Sequence, residues 1–255
     1  MSAGIKANND GSAAIQVGGT DYIEIASTGP VTIPGNLTVT GTATVNGQPV
    51  GGNYILSAYV APATWTKGAG LKAIKVTVVG AGGAGGSAGT ASSLFSAAGG
   101  GGAGGAAIGY IPAPSIPGPV AVTAGAGTNS FGAFCSATAG SVGGNGPGSQ
   151  ANVGAGGAGG SGSGGTANFT GGGGGGGAAS GGQAPGFATS GFGGNSIFGA
   201  GAVPRSANGA SAQAPGFNGG NYGGGGSGAI QVGAGAASAP GGAGAPGIVI
   251  VEEFY

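Results

Sequence analysis

The chain has 255 residues, of which 72 are Gly and 14 Pro, with five basic residues, five acidic residues and no His. Charged residues make up 4 % of it, against roughly 25 % of an average globular chain. That deficit excludes a basic stripe for nucleic-acid phosphates and a basic amphipathic helix for a membrane surface. The length suits one large all-β domain with a small appendage, or two modest domains. Seven charges lie at Lys6, Asp10, Asp21, Glu24, Lys67, Lys72 and Lys75, and two at Glu252 and Glu253; only Arg205 stands between. Abundant Gly and Pro without a collagen period can mark an unfolded chain. Zero net charge, 40 % apolar residues and strand patterns on both sides of the Gly-rich part point instead to order.

Residues 13–50 alternate apolar and polar with period two and are broken by Gly, Pro and Asn. Strands are expected at Ala14–Val17, Tyr22–Ile25, Asn36–Thr40 and Thr42–Val45. Pieces this short bury too little to stand alone, so an intertwined, trimeric shaft or attachment segment over residues 1–52 is expected. Gly51-Gly52 is the joint, and residues 53–255 form the second domain. There the strands are Tyr54–Val60, Leu71–Val79, Ala107–Ile111, Val120–Thr123 and Phe131–Thr138. Ile248–Val251 reads as a central strand returning to the core. Trp65, alone near a strand start, suits a core more than a ligand platform. Strands at both ends of a long Gly-rich insertion suggest a β-sandwich that displays the insertion. No run of about 18 apolar residues exists and no signal peptide is evident.

Ala81-Gly-Gly-Ala-Gly-Gly86 and Ala155-Gly-Gly-Ala-Gly-Gly160 repeat every three residues, and Gly171–Gly177 is unbroken. A polyproline-II-type helix has three residues per turn and no internal hydrogen bonds. Ala-Gly-Gly then gives two bare columns, through which neighbouring helices can approach and satisfy each other's backbone groups. The all-Gly run could sit inside such a bundle, surrounded on every side. The alternative is a set of flexible loops between strands.

Val78-Val-Gly80-Ala-Gly82-Gly-Ala-Gly85 matches a dinucleotide-binding pattern after a strand. No helix opens after it to hold a pyrophosphate, and no acidic residue stands near position 105 for a ribose. With no His and the carboxylates at the two ends, acid–base catalysis lacks its groups. Glu252 and Glu253 are adjacent and on a strand face opposite ways. A metal site lacks ligands, and lone Cys135 reads as a small buried hydrophobe. No catalytic, cofactor or metal site is expected.

Gln183-Ala-Pro-Gly-Phe187 recurs as Gln213-Ala-Pro-Gly-Phe217. Around these repeats lie Phe187, Phe192, Phe198, Phe217 and Tyr222, with Asn195, Arg205, Asn218 and Asn221 among them. Aromatics with amide side chains suit sugar recognition; the same aromatics could cap and fill a glycine lattice. Arg205, alone in a neutral region, is expected to face solvent or a ligand.

Several segments resemble one family. They are Ala63-Thr-Trp-Thr-Lys67, Lys75-Val-Thr-Val-Val-Gly-Ala-Gly-Gly83, Thr128-Asn-Ser-Phe-Gly132 and Pro246-Gly-Ile-Val-Ile-Val-Glu-Glu-Phe254. In that order they resemble the glycine-rich domain of bacteriophage tail-fibre proteins, over about residues 53–255. Pro34–Gly47 is similar to shaft segments of phage structural proteins. The resemblance implies a homotrimeric virion component, assembled in the host cytoplasm, with a jelly-roll-like tip carrying polyglycine helices. It implies binding to a host-surface glycan, without nucleic acid or membrane insertion, and docking on a baseplate, tail or capsid protein through residues 1–50. Loops at about 180–225 would face the host. Two other readings stay open: a purely structural virion part, such as a capsid decoration, and a silk-like coat protein.

Overall fold

The computed structural model describes residues 54–255 except 90–94, 148–152, 181–185, 209–211 and 234–237, and the backbone of short strands between residues 4 and 49. The expected strands at 22–25 and 36–40, and residues 42 and 43, lie outside the described residues. Met1–Gly51 forms one unit and Gly52–Tyr255 another. In the first unit, β1 (Gly4–Ala7), β2 (Ala13–Val17) and β3 (Thr20–Asp21) form an antiparallel sheet. There β4 (Thr44–Val45) also pairs with β5 (Gln48–Pro49).

The second unit is all-β and antiparallel. One five-stranded sheet has the order β15 (Ala167–Phe169), β10 (Ala106–Pro112), β8 (Ala73–Val79), β21 (Ile248–Phe254), β6 (Tyr54–Tyr59). The other has the order β14 (Gly162–Ser163), β13 (Cys135–Ala137), β12 (Asn129–Phe131), β11 (Val120–Thr123), β7 (Ala63–Trp65). Period-two alternation sends Ile74, Val76 and Val78 of β8 and Val249 and Val251 of β21 to one face. There they meet Trp65, Val120, Val122, Phe131 and Cys135 of the second sheet in one buried cluster. β21 is central, between β8 and β6, as its apolar run implies. Trp65 is core: its ring meets Phe131 edge-on at 5.5 Å. Cys135 is also core, and burial raises its thiol pKa.

The adjacent glutamates part company, as alternation demands. Glu253 turns inward and accepts from Trp65 Nε1 at 2.8 Å and from the Tyr255 hydroxyl at 2.6 Å. Its bond to Glu253 pushes the Tyr255 phenol up to about 12. Glu252 turns outward to Lys75, at 2.8 Å. Lys67 caps the carbonyls of Ala113 and Ile116.

The glycine segments form a hydrogen-bonded lattice, not loose loops. Residues 98–105, between β9 (Phe95–Ala97) and β10, sit at its centre. Their N–H groups rotate among three neighbours. Gly99, Gly102 and Gly105 donate to Gly144, Ser141 and Thr138; Gly100 and Ala103 to Gly175 and Gly172; Gly101 and Gly104 to Gly226 and Gly223. Their carbonyls accept from three more segments: from Gly157 and Gly160, from Gly191 and Gly194, and from Gly80, Gly83 and Gly86. The centre thus has six neighbours and a backbone that changes partner every residue with period three. Neighbours in the ring also bond to one another, as in Gly143 to Ala84, Gly174 to Gly157 and Gly225 to Gly194.

This packing is why glycine is needed. A Cβ on Gly101 would overlap the Gly83 carbonyl, and one on Gly83 the Ser141 carbonyl. The dinucleotide-like Gly80–Gly85 run is explained the same way: Cβ atoms at Gly80, Gly82 and Gly85 would strike carbonyls of Thr138, Gly224 and Ser227. Ala155 and Ala158 occupy the outward column of their segment and are exposed, as a three-residue repeat predicts. The unbroken run corrects the expectation that it would be surrounded. Gly171–Gly177 lies on the rim, with Gly173 and Gly176 exposed, because Ala98–Gly105 takes the centre.

Candidate functional site

Beyond the lattice from the sandwich lie two three-stranded sheets. β16 (Ala178–Ser180), β17 (Phe187–Thr189) and β18 (Ser206–Asn208) form one; β19 (Ala212–Ala214), β20 (Ile230–Val232) and β9 form the other. The first places Ala179, Ala188 and Ala207 side by side. These alanines face Phe95, Ile230 and Val232 in a small closed core. Small side chains let the two sheets pack closely, so the outer face of the first sheet is firmly backed.

Alternation fixes what that outer face carries. Ser180, Phe187 and Asn208 form one cross-strand row, and Ala178, Thr189 and Ser206 the next. Phe187 is 45 % exposed at the middle of its row. The Thr189 and Ser206 hydroxyls bond to each other at 3.0 Å. Phe187, Ser206, Ala207 and Asn208 line a shallow depression of about 240 Å³. The result is an exposed ring flanked by hydroxyls and an amide, with no formal charge on the face.

The other sequence-selected residues scatter, for physical reasons. Arg205, expected to face solvent or a ligand, is part-exposed and has partners within the chain. It has the parity of the inward alanines, lies 3.4 Å over the Phe217 ring and donates through Nε to the Pro215 carbonyl at 3.0 Å. It therefore clamps the two small sheets together, half-buried. Asn195 Oδ1 accepts from the Gly201 N–H, and Asn218 Oδ1 from the Ala243 N–H at 2.9 Å. These amides terminate lattice edges. Tyr222 packs on Val79, Ala106 and Ile248, and its carbonyl accepts from Ser196 Oγ. Phe192 lies over Gly175 on the lattice rim and is exposed, as are Phe198 and Asn221. Of the nine candidates, only Phe187 belongs to the outer face of the β16–β17–β18 sheet. Gln183–Pro185 of the first repeat lie outside the described residues; Phe217 of the second meets Arg205.

Ser180, Ser206 and Asn208 were missed. A lone Ser or Asn in a Gly-rich stretch carries no signal until strand pairing sets it beside a ring. Among the described residues no three His, Cys, Asp or Glu side chains group as a metal site would require. No helix there is long and apolar enough to cross a membrane. Comparison of the sequence with protein-family models and with curated proteins gives no match.

Proposed function

We propose that the chain is a virion protein of the tail-fibre type that binds a host-surface glycan through the outer face of its tip sheet. The observation that carries this reading is the Phe187 row: an exposed ring on a rigid, uncharged sheet, with Ser180, Asn208 and Ser206 beside it. A pyranose offers one apolar face and a rim of hydroxyls. The apolar face stacks on an aromatic ring, and the rim exchanges hydrogen bonds with hydroxyls and amides. Absence of charge suits a neutral glycan, whose capture needs no electrostatic steering and is insensitive to salt.

In this reading the lattice is a spacer. Its segments are polyglycine-II helices of the polyproline-II type, supported by the period-three rotation of bonds around residues 98–105. At about 3.1 Å per residue, that segment holds the tip roughly 25 Å from a jelly-roll-like sandwich. Residues 1–52 wind with two other copies into a trimeric shaft and attach to a baseplate, tail or capsid protein. The chain acts by binding, not catalysis.

The second reading, a purely structural virion part, is favoured by how much of the chain is spent on the lattice. A glycan array separates the two. The adhesive reading expects saturable binding to a glycan subset, weakened at least tenfold by Phe187→Ala, about 1.4 kcal/mol. Absence of binding across an array of bacterial surface glycans overturns it. Deleting residues 180–225 is not a clean test, because Gly191, Gly194, Gly223 and Gly225 are lattice members.

A further inference from the structure

On the outer face of the β16–β17–β18 sheet, the row beside Phe187 holds a bonded pair of hydroxyls. The register sets Ala178, Thr189 and Ser206 side by side, one row on from Ser180, Phe187 and Asn208. Thr189 Oγ1 and Ser206 Oγ lie 3.0 Å apart. Ser206 also lines the depression that Phe187 and Asn208 border. Ala178, the third member of the row, is small and exposed, so it does not screen the pair.

The pair is held from behind and from the side. Thr189 branches at Cβ, which restricts its χ1, and its neighbour Ala188 is fully buried in the small core behind the sheet. One residue beyond the pair the strands stay joined. The Ser190 N–H donates to the Arg205 carbonyl at 2.8 Å, and the Arg205 N–H to Ser190 Oγ at 2.9 Å. The Arg205 side chain, over Phe217 and bonded to the Pro215 carbonyl, anchors the strand next to Ser206. The two hydroxyls are therefore in place before a ligand arrives.

Their chemistry specifies what they take. A hydroxyl has one proton and two lone pairs, so their mutual bond leaves the pair one proton to give and three lone pairs to fill. A single ligand hydroxyl answers only part of that. Two hydroxyls on adjacent carbons at a gauche torsion lie about 2.9 Å apart, close to the spacing of the pair itself. One ligand oxygen then accepts the free proton, and the other donates to the oxygen whose proton is engaged within the pair. The rows are about 6.8 Å apart along the strands. A ring in contact with Phe187, at about 3.5–4.0 Å, has its edge within a hydrogen bond of the second row, about 2.8 Å.

We propose that Thr189 and Ser206 determine specificity by reading a vicinal diol, diequatorial or axial–equatorial, on a neutral hexopyranose stacked against Phe187. The inference rests on the reading of this face as a glycan site and names the sugar edge it selects. A diaxial pair, whose oxygens point apart, does not fit. An acidic sugar finds no cation among the residues of the two rows.

The test measures binding of the full chain to printed hexopyranosides of gluco, galacto and manno configuration, each with its singly deoxygenated and singly O-methylated forms. The wild type should bind at least one parent sugar, and altering either member of one adjacent hydroxyl pair should weaken binding at least tenfold. Thr189→Val keeps the shape and removes the hydroxyl. It should bind the parent sugar at least tenfold more weakly and no longer distinguish it from the altered forms; Thr189→Ser should restore both properties. A sheet merely disturbed by the substitution would keep its preference for the parent sugar, and that result overturns the proposal. If Thr189→Val binds and discriminates as the wild type does while Phe187→Ala loses the sugar, the diol falls and the glycan reading stands. If neither substitution changes binding, both fall. If no hexopyranoside binds, the diol falls and the array of bacterial surface glycans decides the wider reading.

Discussion

Replacing Gly101 by Ala and Gly173 by Ala should move stability in opposite directions. Both are glycines of the same lattice, yet a Cβ on Gly101 would overlap the carbonyl of Gly83, whereas one on Gly173 comes no closer than 3.6 Å to any atom, the Gly157 carbonyl. Relief of the first clash must separate residues 101 and 83. Four bonds of 2.8–3.0 Å converge there: Gly101 to Gly226, Gly194 to Gly101, Gly83 to Gly102 and Gly226 to Gly83. At about 0.5–1.5 kcal/mol each, their loss costs about 2–6 kcal/mol. At Gly173 no bond is disturbed, and Ala restricts the unfolded chain, which stabilises by about 0.4–1 kcal/mol. For a unit of this size 1 kcal/mol is about 2–4 °C in Tm. Calorimetry should therefore show Gly101→Ala melting at least ~4 °C below the wild type, and Gly173→Ala at or slightly above it. Equal destabilisation by the two substitutions, or a Gly101→Ala protein as stable as the wild type, would refute the lattice argument.

Glu253→Ala should destabilise by about 2–5 kcal/mol, since it strands the Trp65 N–H in the core and frees the Tyr255 hydroxyl; Glu253→Gln, which keeps an acceptor, should cost less, and denaturant unfolding checks both. The Tyr255 phenol, raised to about 12 chiefly by its bond to Glu253, should ionise later than an ordinary tyrosine in an ultraviolet titration. Because its folded pKa lies above the unfolded value, the associated stability is whole below about pH 10 and is lost as pH rises through about 12; Tyr255→Phe should remove that alkaline component. Arg205→Ala should lower stability by about 0.5–1 kcal/mol through loss of the contact with Phe217, and a glycan-binding change much larger than that of Phe187→Ala would contradict its role as a clamp.

The sandwich was legible because its strands alternate. Lys75 and Thr77 punctuate β8 with period two, and the run Ile248–Val251 announces a central strand. The period-three repeats around Ala81 and Ala155 likewise foretold columns of bare backbone. Which segment takes the centre was not legible: Gly171–Gly177 has the barest composition, but the centre is set by connectivity between β9 and β10, and Ala98 and Ala103 are tolerated there at no exposure. The site was half legible. Aromatic residues in the insertion were visible as candidates, yet only cross-strand register separates Phe187, held on an outer face, from Tyr222, turned into a core. The neighbour of Arg205 was not legible, because isolation in sequence says nothing about a ring twelve positions downstream meeting it in the packed sheets.

The central claim, adhesion through the tip sheet, is tested most directly by labelling the full chain with a fluorophore and measuring its binding to a panel of bacterial cells. The account predicts saturable labelling of some strains, competed by unlabelled chain and lost on Phe187→Ala while Phe198→Ala, exposed but outside that sheet, leaves it intact. Labelling of those cells that is unchanged by Phe187→Ala, or no labelling of any strain, would contradict it.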